Sequence, residues 1–159
     1  MTRMGRDQLA AWLDDAHAME SGLISILQTH ATHVSHLPDA ARRLEQHVVE
    51  TQQHVQRVNE CLRLLGTAPS GIKSALSAVV GSVEGASTAI FRDEVVKDAL
   101  ADYASEQFEV ACYTALVSMA TALDYPEIAR LCNQNLQEDR AMAEWLLQQL
   151  PSVVIYDAA

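Results

Sequence analysis

The sequence is poor in the residues that build β-sheets. Aromatic residues make up only 5% of the chain, and runs of alternating apolar and polar residues are short. Ala, Leu, Gln and Glu, which favour helices, dominate the long stretches between turn signals. A chain of 159 residues, 49% of them hydrophobic, can bury a sizeable core without disulfides. These features predict a single all-α domain over residues 1–159.

Basic residues are also scarce, because 11 Lys and Arg stand against 21 Asp and Glu. The formal net charge of −10 argues against binding to a nucleic-acid backbone, since such proteins need a basic face. We therefore expect no nucleic-acid partner. The surplus of acid is compatible with a protein that attracts metal cations, although a solvated acidic surface is the commoner explanation.

Cysteine is too sparse to organise the fold. Cys61, Cys112 and Cys132 are odd in number and far apart, which argues against a disulfide framework or a CxxC zinc site. No segment resembles a signal peptide, and none approaches the roughly 18 to 20 apolar residues of a membrane span. We expect a soluble, cytoplasmic protein without a membrane partner.

Helical periodicity and turn residues predict five helices. Pro38 and Pro126 suit the first turn of a helix, whereas Gly66 and Pro151 are expected to end one. The middle helix contains glycine and many small residues, so we expect it to form a crossover. The predicted bounds are about 7–30, 38–65, 72–88, 93–123 and 126–150. Two short-loop hairpins joined by a longer connection are typical of an antiparallel four-helix bundle of the ferritin-like kind.

Several acids and histidines recur at helical spacing and could hold metal ions. In a di-metal bundle, two helices each supply one inward carboxylate. Each of the other two helices supplies a carboxylate and a second ligand one helical turn away from it. Carboxylate and imidazole hold iron in both of its redox states. The candidate donors are Glu20, His47, Glu50, His54, Glu106, Glu109 and Glu138.

Each of these donors also has an ordinary structural explanation. Glu20 can flank the core, Glu50 can belong to a solvated row, and His54 can be a surface imidazole. The histidines at 30, 33 and 36 are expected in a surface loop, although their spacing could capture a transition-metal ion.

Five segments carry a resemblance to a known family. They are Asp15–Glu20, Glu50–Arg57, Cys61–Gly66, Glu106–Tyr113 and Leu136–Arg140. In order and at these intervals they resemble the YciE/YciF family of bacterial ferritin-like stress proteins, which is similar to the rubrerythrins in fold. The resemblance implies a di-iron centre whose core ligands are Glu20, Glu50, Glu109 and Glu138, with His54, His47 and Glu106 as secondary ligands.

The chain departs from the family pattern on the second hairpin. Gln134 and Ala143 stand where the family usually has acids, and Gln107 stands where it has a histidine. Glu138 is followed one turn later by Ala141 and Met142, so it has no histidine partner. A neutral amide is a weaker ligand than a carboxylate. A weakened, mononuclear or abandoned site therefore remains an alternative to an intact one.

Two functions are compatible with these patterns. In the first, two ferrous ions are bridged by Glu50 and Glu138, capped by Glu20 and Glu109, and completed by His54. Such a centre reduces peroxide or oxygen, or oxidises ferrous iron, with an external electron donor, and another divalent metal could replace iron. In the second, a metal-free bundle acts as a structural or interaction protein.

Tyr113 lies one turn after Glu109 and could hydrogen-bond a ligand or pass an electron, although a core aromatic with a satisfied hydroxyl is the commoner explanation. The family resemblance implies a homodimer or a small homo-oligomer.

Overall fold

The computed structural model describes residues 3–70 and 93–157, and within those ranges it contains four α-helices and no strand. They are α1 (Arg3–His33), α2 (Pro38–Leu64), α3 (Glu94–Ala122) and α4 (Pro126–Asp157). The prediction of an all-α four-helix bundle is confirmed. The crossover helix predicted at 72–88 lies outside the described residues.

The helix ends follow from local turn chemistry. Pro38 occupies the first turn of α2, and Asp93 caps α3 by accepting a hydrogen bond from the Val96 amide at 2.7 Å. Gly66 ends α2 with a φ of 68°, while the Thr67 amide reaches back to the Leu62 carbonyl at 3.0 Å. Asp124, with a φ of 59°, follows the end of α3 as Gly66 follows the end of α2. Both hairpins are therefore set by short sequence signals.

Two predicted boundaries differ from the structure. Helix α1 begins at Arg3 and extends through His33, so His30 and His33 lie on a helix and not in a loop. Helix α4 continues past Pro151 to Asp157, although Pro151 was expected to end it. Proline removes the hydrogen bond to the carbonyl four residues earlier. That residue, Leu147, lies on an exposed face of α4, where solvent can replace the lost bond.

The four helices pack around one core. Helices α1 and α2 form one hairpin and α3 and α4 the other, while α1 lies against α3 and α2 against α4. Leucines such as Leu9, Leu13 and Leu27 of α1 are buried at helical spacing, together with Leu62 and Ile128. No described helix is sufficiently long and apolar to cross a membrane. The bundle thus directs one stripe of every helix towards a shared interior.

Candidate metal centre

The middle of that interior is polar and contains acids from three helices. Glu20 of α1, His54 of α2, Glu106 and Glu109 of α3, and Asp139 of α4 meet there, and each is no more than 2% exposed. We call these five residues the central cluster. Burying so many ionisable groups is costly unless they are protonated, paired or bound to cations.

The central cluster contains two overlapping sets of three potential ligands. Glu20, His54 and Asp139 form one set, and Glu106, Glu109 and Asp139 form the other. Within each set, one ligand atom from every residue lies within 4.8 Å of the others. Asp139 belongs to both, so its carboxylate lies between two potential cation positions. Inward carboxylates from facing helices, grouped in this way, are the kind of donor set from which metal sites in helical bundles are built.

Several polar atoms of the central cluster have no hydrogen-bond partner. These buried atoms are Glu20 Oε2, His54 Nδ1, Glu106 Oε2 and both carboxylate oxygens of Asp139. Leaving a buried donor or acceptor unsatisfied costs about 1–3 kcal/mol, and more for a charged group. The unsatisfied atoms face one another, so cations placed among them would satisfy several at once.

Burial and mutual repulsion alter the protonation of these acids. Burial raises the pKa of Glu109 well above its usual value, and the neighbouring Glu20 and Glu106 raise it further. Burial and Glu20 likewise raise the pKa of Asp139 well above its usual value. Like charges in a low-dielectric interior cannot all ionise. Without cations, part of the central cluster therefore holds protons.

His54 is oriented by an acid on its outer side. Its Nε2 lies 2.8 Å from Glu138 Oε2, and Arg57 donates to the same carboxylate at 2.7 and 3.0 Å. Its Nδ1 faces inward, 3.3 Å from Glu20 and 3.4 Å from Asp139. Metal-binding histidines usually donate their other nitrogen to such an outer carboxylate, which fixes the tautomer. His54 therefore has the geometry of a ligand through Nδ1, with Glu138 as its support.

The pKa values of this pair move in opposite directions. Burial lowers the pKa of His54, but the contacts with Glu138 and Glu20 outweigh burial and raise it to about 10. Burial raises the pKa of Glu138, but hydrogen bonds from His54 and Arg57 lower it to about 2. Glu138 is thus an ionised, arginine-bound group at the edge of the centre.

Both ring nitrogens of His47 contact carboxylate oxygens. Its Nε2 lies 2.7 Å from Glu106 Oε1, and its Nδ1 lies 3.0 Å from Glu50 Oε2. Glu50 also accepts hydrogen bonds from Arg43 at 3.1 Å and Gln46 at 2.8 Å. His47 therefore positions Glu106, and Glu50 lies behind His47 as Glu138 lies behind His54.

Tyr113 borders the central cluster at the end of a hydrogen-bonded chain. Its hydroxyl donates to Glu20 and accepts from Asn135 Nδ2 at 2.8 Å. Arg57 donates to Asn135 Oδ1 at 2.9 Å. Burial and the adjacent Glu20 raise the pKa of Tyr113 well above its usual value, so the phenol keeps its proton. These hydrogen bonds hold Glu20 through Oε1, the oxygen that also lies 3.3 Å from His54 Nδ1.

The predicted donors divide into an inner and an outer group. The structure brings Glu20, His54, Glu106 and Glu109 together, whereas Glu50 and Glu138 lie outside both ligand sets. Sequence reasoning missed Asp139, although it directly follows Glu138 in the segment Leu136–Arg140. The buried stripe of α4 runs through Leu136, Asp139 and Met142, so helical periodicity would have selected Asp139 over its neighbour.

The Glu-x-x-His pattern of di-metal bundles is split between the two hairpins. Helix α2 has His54 but carries Thr51 where the acid would stand, and Thr51 Oγ1 donates to the His47 carbonyl at 2.9 Å. Helix α4 has Asp139 but carries the buried Met142 where the histidine would stand. Each hairpin therefore supplies one half of the pattern.

A second group of imidazoles and acids lies nearer the bundle end. His30 Nδ1 is 2.7 Å from Asp102 Oδ1, and His33 Nδ1 is 2.6 Å from Asp98 Oδ2. His30 Nε2 is 3.3 Å from the other oxygen of Asp98. We call these four residues the end cluster. The expectation that His30 is a surface residue is wrong, because α1 buries its side chain against Asp102 of α3.

Comparison with known proteins relates the whole chain to others of similar length. A family model described as a domain of unknown function, DUF892, matches residues 5–159. A solved structure from Xanthomonas campestris pv. campestris is 35% identical, with a TM-score of 0.82 over 96% of this chain and 94% of that one.

Two further solved structures share the fold. YcfI of Rhodopseudomonas palustris is 25% identical, with a TM-score of 0.78 over 92% of this chain and 93% of that one. The Escherichia coli stress protein YciF is 20% identical, with a TM-score of 0.81 over 96% of this chain and 98% of that one. At that identity the match to YciF bears on the fold alone.

Proposed function

The chain belongs to the DUF892 family, which confirms the resemblance drawn from its motifs, and on this premise we propose that its central cluster binds two divalent cations. Iron is the first candidate, and the cellular role would be in the stress response, as the family resemblance implies. The observation that carries the proposal is the pair of ligand sets that share Asp139, together with the buried atoms that lack any other partner.

The donor set fits divalent first-row metals in number and in charge. The four carboxylates of Glu20, Glu106, Glu109 and Asp139, once ionised, balance the charge of two divalent cations. Oxygen donors with one imidazole suit iron, manganese or zinc better than they suit soft cations such as Cu(I). We assign Asp139 to both cations, His54 and Glu20 to one, and Glu106 and Glu109 to the other.

The residues around the centre have supporting roles in this proposal. Glu138 and His47 hold His54 and Glu106 in place, and the apolar layers of the bundle exclude bulk water. Two irons in such a centre supply the redox chemistry by which peroxide or oxygen is reduced, or ferrous iron oxidised. Tyr113 holds Glu20 by a hydrogen bond and would hydrogen-bond a ligand or pass an electron. Electrons would come from an external donor.

The second candidate is a metal-free bundle that serves as a structural or interaction protein. The split Glu-x-x-His pattern, with Thr51 and Met142 at ligand positions, favours it because both changes remove a donor. The relative YcfI is described as a candidate structural protein. Both candidates are compatible with a cytoplasmic homodimer or small homo-oligomer, which remains a prediction from the sequence.

Elemental analysis of protein purified without a histidine tag separates the two candidates. The protein is analysed as isolated and again after anaerobic reconstitution with ferrous iron and desalting. About two metal ions per chain would support the di-metal proposal and justify peroxide-reduction and ferroxidase assays. No retained metal after reconstitution would overturn it in favour of the metal-free bundle.

A further inference from the structure

A fully buried metal centre needs a route by which cations reach it. The residues of the central cluster are at most 2% exposed, so no ligand is directly open to solvent. The route should be lined by groups that attract cations, and it should avoid fixed positive charges.

One face of α3 carries a row of acids from the surface to the central cluster. Glu94, Asp98, Asp102 and Glu106 are spaced four residues apart, which is a rise of about 6 Å for each step. The exposed fraction of their side chains falls along the row, from 71% to 14%, 5% and 2%. Glu106 ends the row inside the central cluster, with its Oε2 unsatisfied.

A cavity and two imidazoles accompany the middle of the row. A cavity of about 300 Å³ opens at this end of the bundle. Its wall is mostly apolar, and the ionisable side chains in it are His30, Asp39, Asp98 and Asp102. No lysine or arginine of the described ranges lines it. His30 and His33 add nitrogen donors beside the acids, and imidazole and carboxylate together are good transient ligands for first-row cations.

Two other partly exposed acids near the centre, Glu50 and Glu138, are held by arginines. Arg43 donates to Glu50, and Arg57 donates to Glu138 by two hydrogen bonds. A cation that approached at either point would meet a guanidinium charge first. Electrostatics therefore disfavour these two points and favour the row on α3.

We propose that divalent cations enter the central cluster from the bundle end, along Glu94, Asp98 and Asp102 to Glu106, with the cavity at the end cluster as the passage. This inference rests on the proposed metal binding at the central cluster. The route concerns the rate of cation uptake and not the final occupancy. An experiment can therefore reject the route while metal binding at the central cluster stands.

Stopped-flow mixing of metal-free protein with Co²⁺ tests the route, because the visible absorption of bound Co²⁺ reports uptake without any redox chemistry. The variants are Asp98→Asn, Asp102→Asn and the surface change Glu94→Lys. Glu45→Gln is the control, since it removes one negative charge from an exposed site on α2 away from the row. Equilibrium titration of each variant with Co²⁺ gives the number of sites.

We expect uptake to slow by about tenfold in Asp98→Asn and Asp102→Asn, with an unchanged number of sites. Glu94→Lys should also slow it, and Glu45→Gln should not. Rates equal to that of the unmodified protein in all three variants would overturn the route.

Absence of Co²⁺ binding in the unmodified protein would instead overturn the proposed function. If either asparagine variant fails to fold, Glu94→Lys still decides the question, since Glu94 is largely exposed.

Discussion

The central cluster and the end cluster consist of the same residue types but balance their charges differently. In the end cluster, His30 and His33 face Asp98 and Asp102, so each acid has an imidazole within 3.3 Å. The central cluster has four acids and one imidazole. His54 lies within 3.4 Å of Glu20 and Asp139, and His47, from outside the cluster, contacts Glu106. All five buried side-chain atoms without a partner in the described part of the chain belong to the central cluster.

This difference separates a charge-balanced group, which cations could pass without being retained, from a group that would retain them. Paired acids and imidazoles satisfy one another and need nothing from outside. An excess of buried carboxylates stays unsatisfied until protons or cations compensate it. Buried ionisable residues are therefore informative about function only when their partners are counted.

The strongest test of this comparison is the removal of the shared carboxylate. Asp139→Asn should lower the affinity for Co²⁺ by at least about a thousandfold, which is roughly 4 kcal/mol, because both ligand sets lose a charged donor. Glu138→Gln is the matched control one position away, and loss of this outer support should cost only about ten- to a hundredfold. Calorimetric titration measures both. Equal losses in the two variants would contradict the assignment of Asp139 as the inner acid.

The next test measures the stability of the metal-free protein. Asp102→Ala should lower the free energy of unfolding by about 3 kcal/mol, because it removes the carboxylate that contacts the buried Nδ1 of His30. Asp139→Asn should not lower it, since neither oxygen of Asp139 accepts a hydrogen bond. Urea denaturation of both variants decides the point. A comparable loss in Asp139→Asn would show that the central acids are structural as well.

The pH dependence of stability should also distinguish the metal-free from the metal-bound protein. Burial raises the pKa of Glu109 and of Asp139 in the folded state, so the folded chain keeps protons that the unfolded chain releases. Stability therefore falls as the pH rises, by about 1.4 kcal/mol per pH unit for each extra proton.

The two histidines act in the same direction. The pKa of His47 and of His54 rises to about 10, so their contribution is complete below about 6.5 and is lost as the pH approaches 10. Thermal unfolding between pH 6 and pH 9 should show a steep decline without metal. A shallower decline is expected with Co²⁺ bound, because the cations replace the protons. Parallel curves would argue against cation binding by these groups.

The smallest expected effect concerns the residue that links the central cluster to its surroundings. Tyr113→Phe removes the donation to Glu20 and should cost about 1 kcal/mol of stability and less than about tenfold in Co²⁺ affinity. Tyr103→Phe, on the same helix but outside the central cluster, is the control. Loss of binding in Tyr113→Phe would indicate that Tyr113 does more than position Glu20.

The sequence was sufficient to predict the four helices of the bundle and part of the central cluster. Pro38, Gly66 and Pro126 mark the hairpins because their backbone preferences act locally. Glu20, His54, Glu106 and Glu109 were identified because their helical spacing and apolar neighbours are visible in the sequence. The acidic pair at 138 and 139 offers two choices, and the signal that separates them is the apolar stripe through Leu136 and Met142, which includes Asp139 and not Glu138.

The sequence by itself therefore determined the helical class, the hairpin boundaries and the supply of acids and imidazoles, since each depends on neighbours within a few residues. The tertiary structure decided which acids face inward, which imidazole orients which carboxylate, and which arginines hold Glu50 and Glu138 at the edge. Those choices join residues up to 93 positions apart, as in the contact of Tyr113 with Glu20. They depend on how the four helices rotate against one another, and local sequence constrains that rotation only through the apolar stripe of each helix.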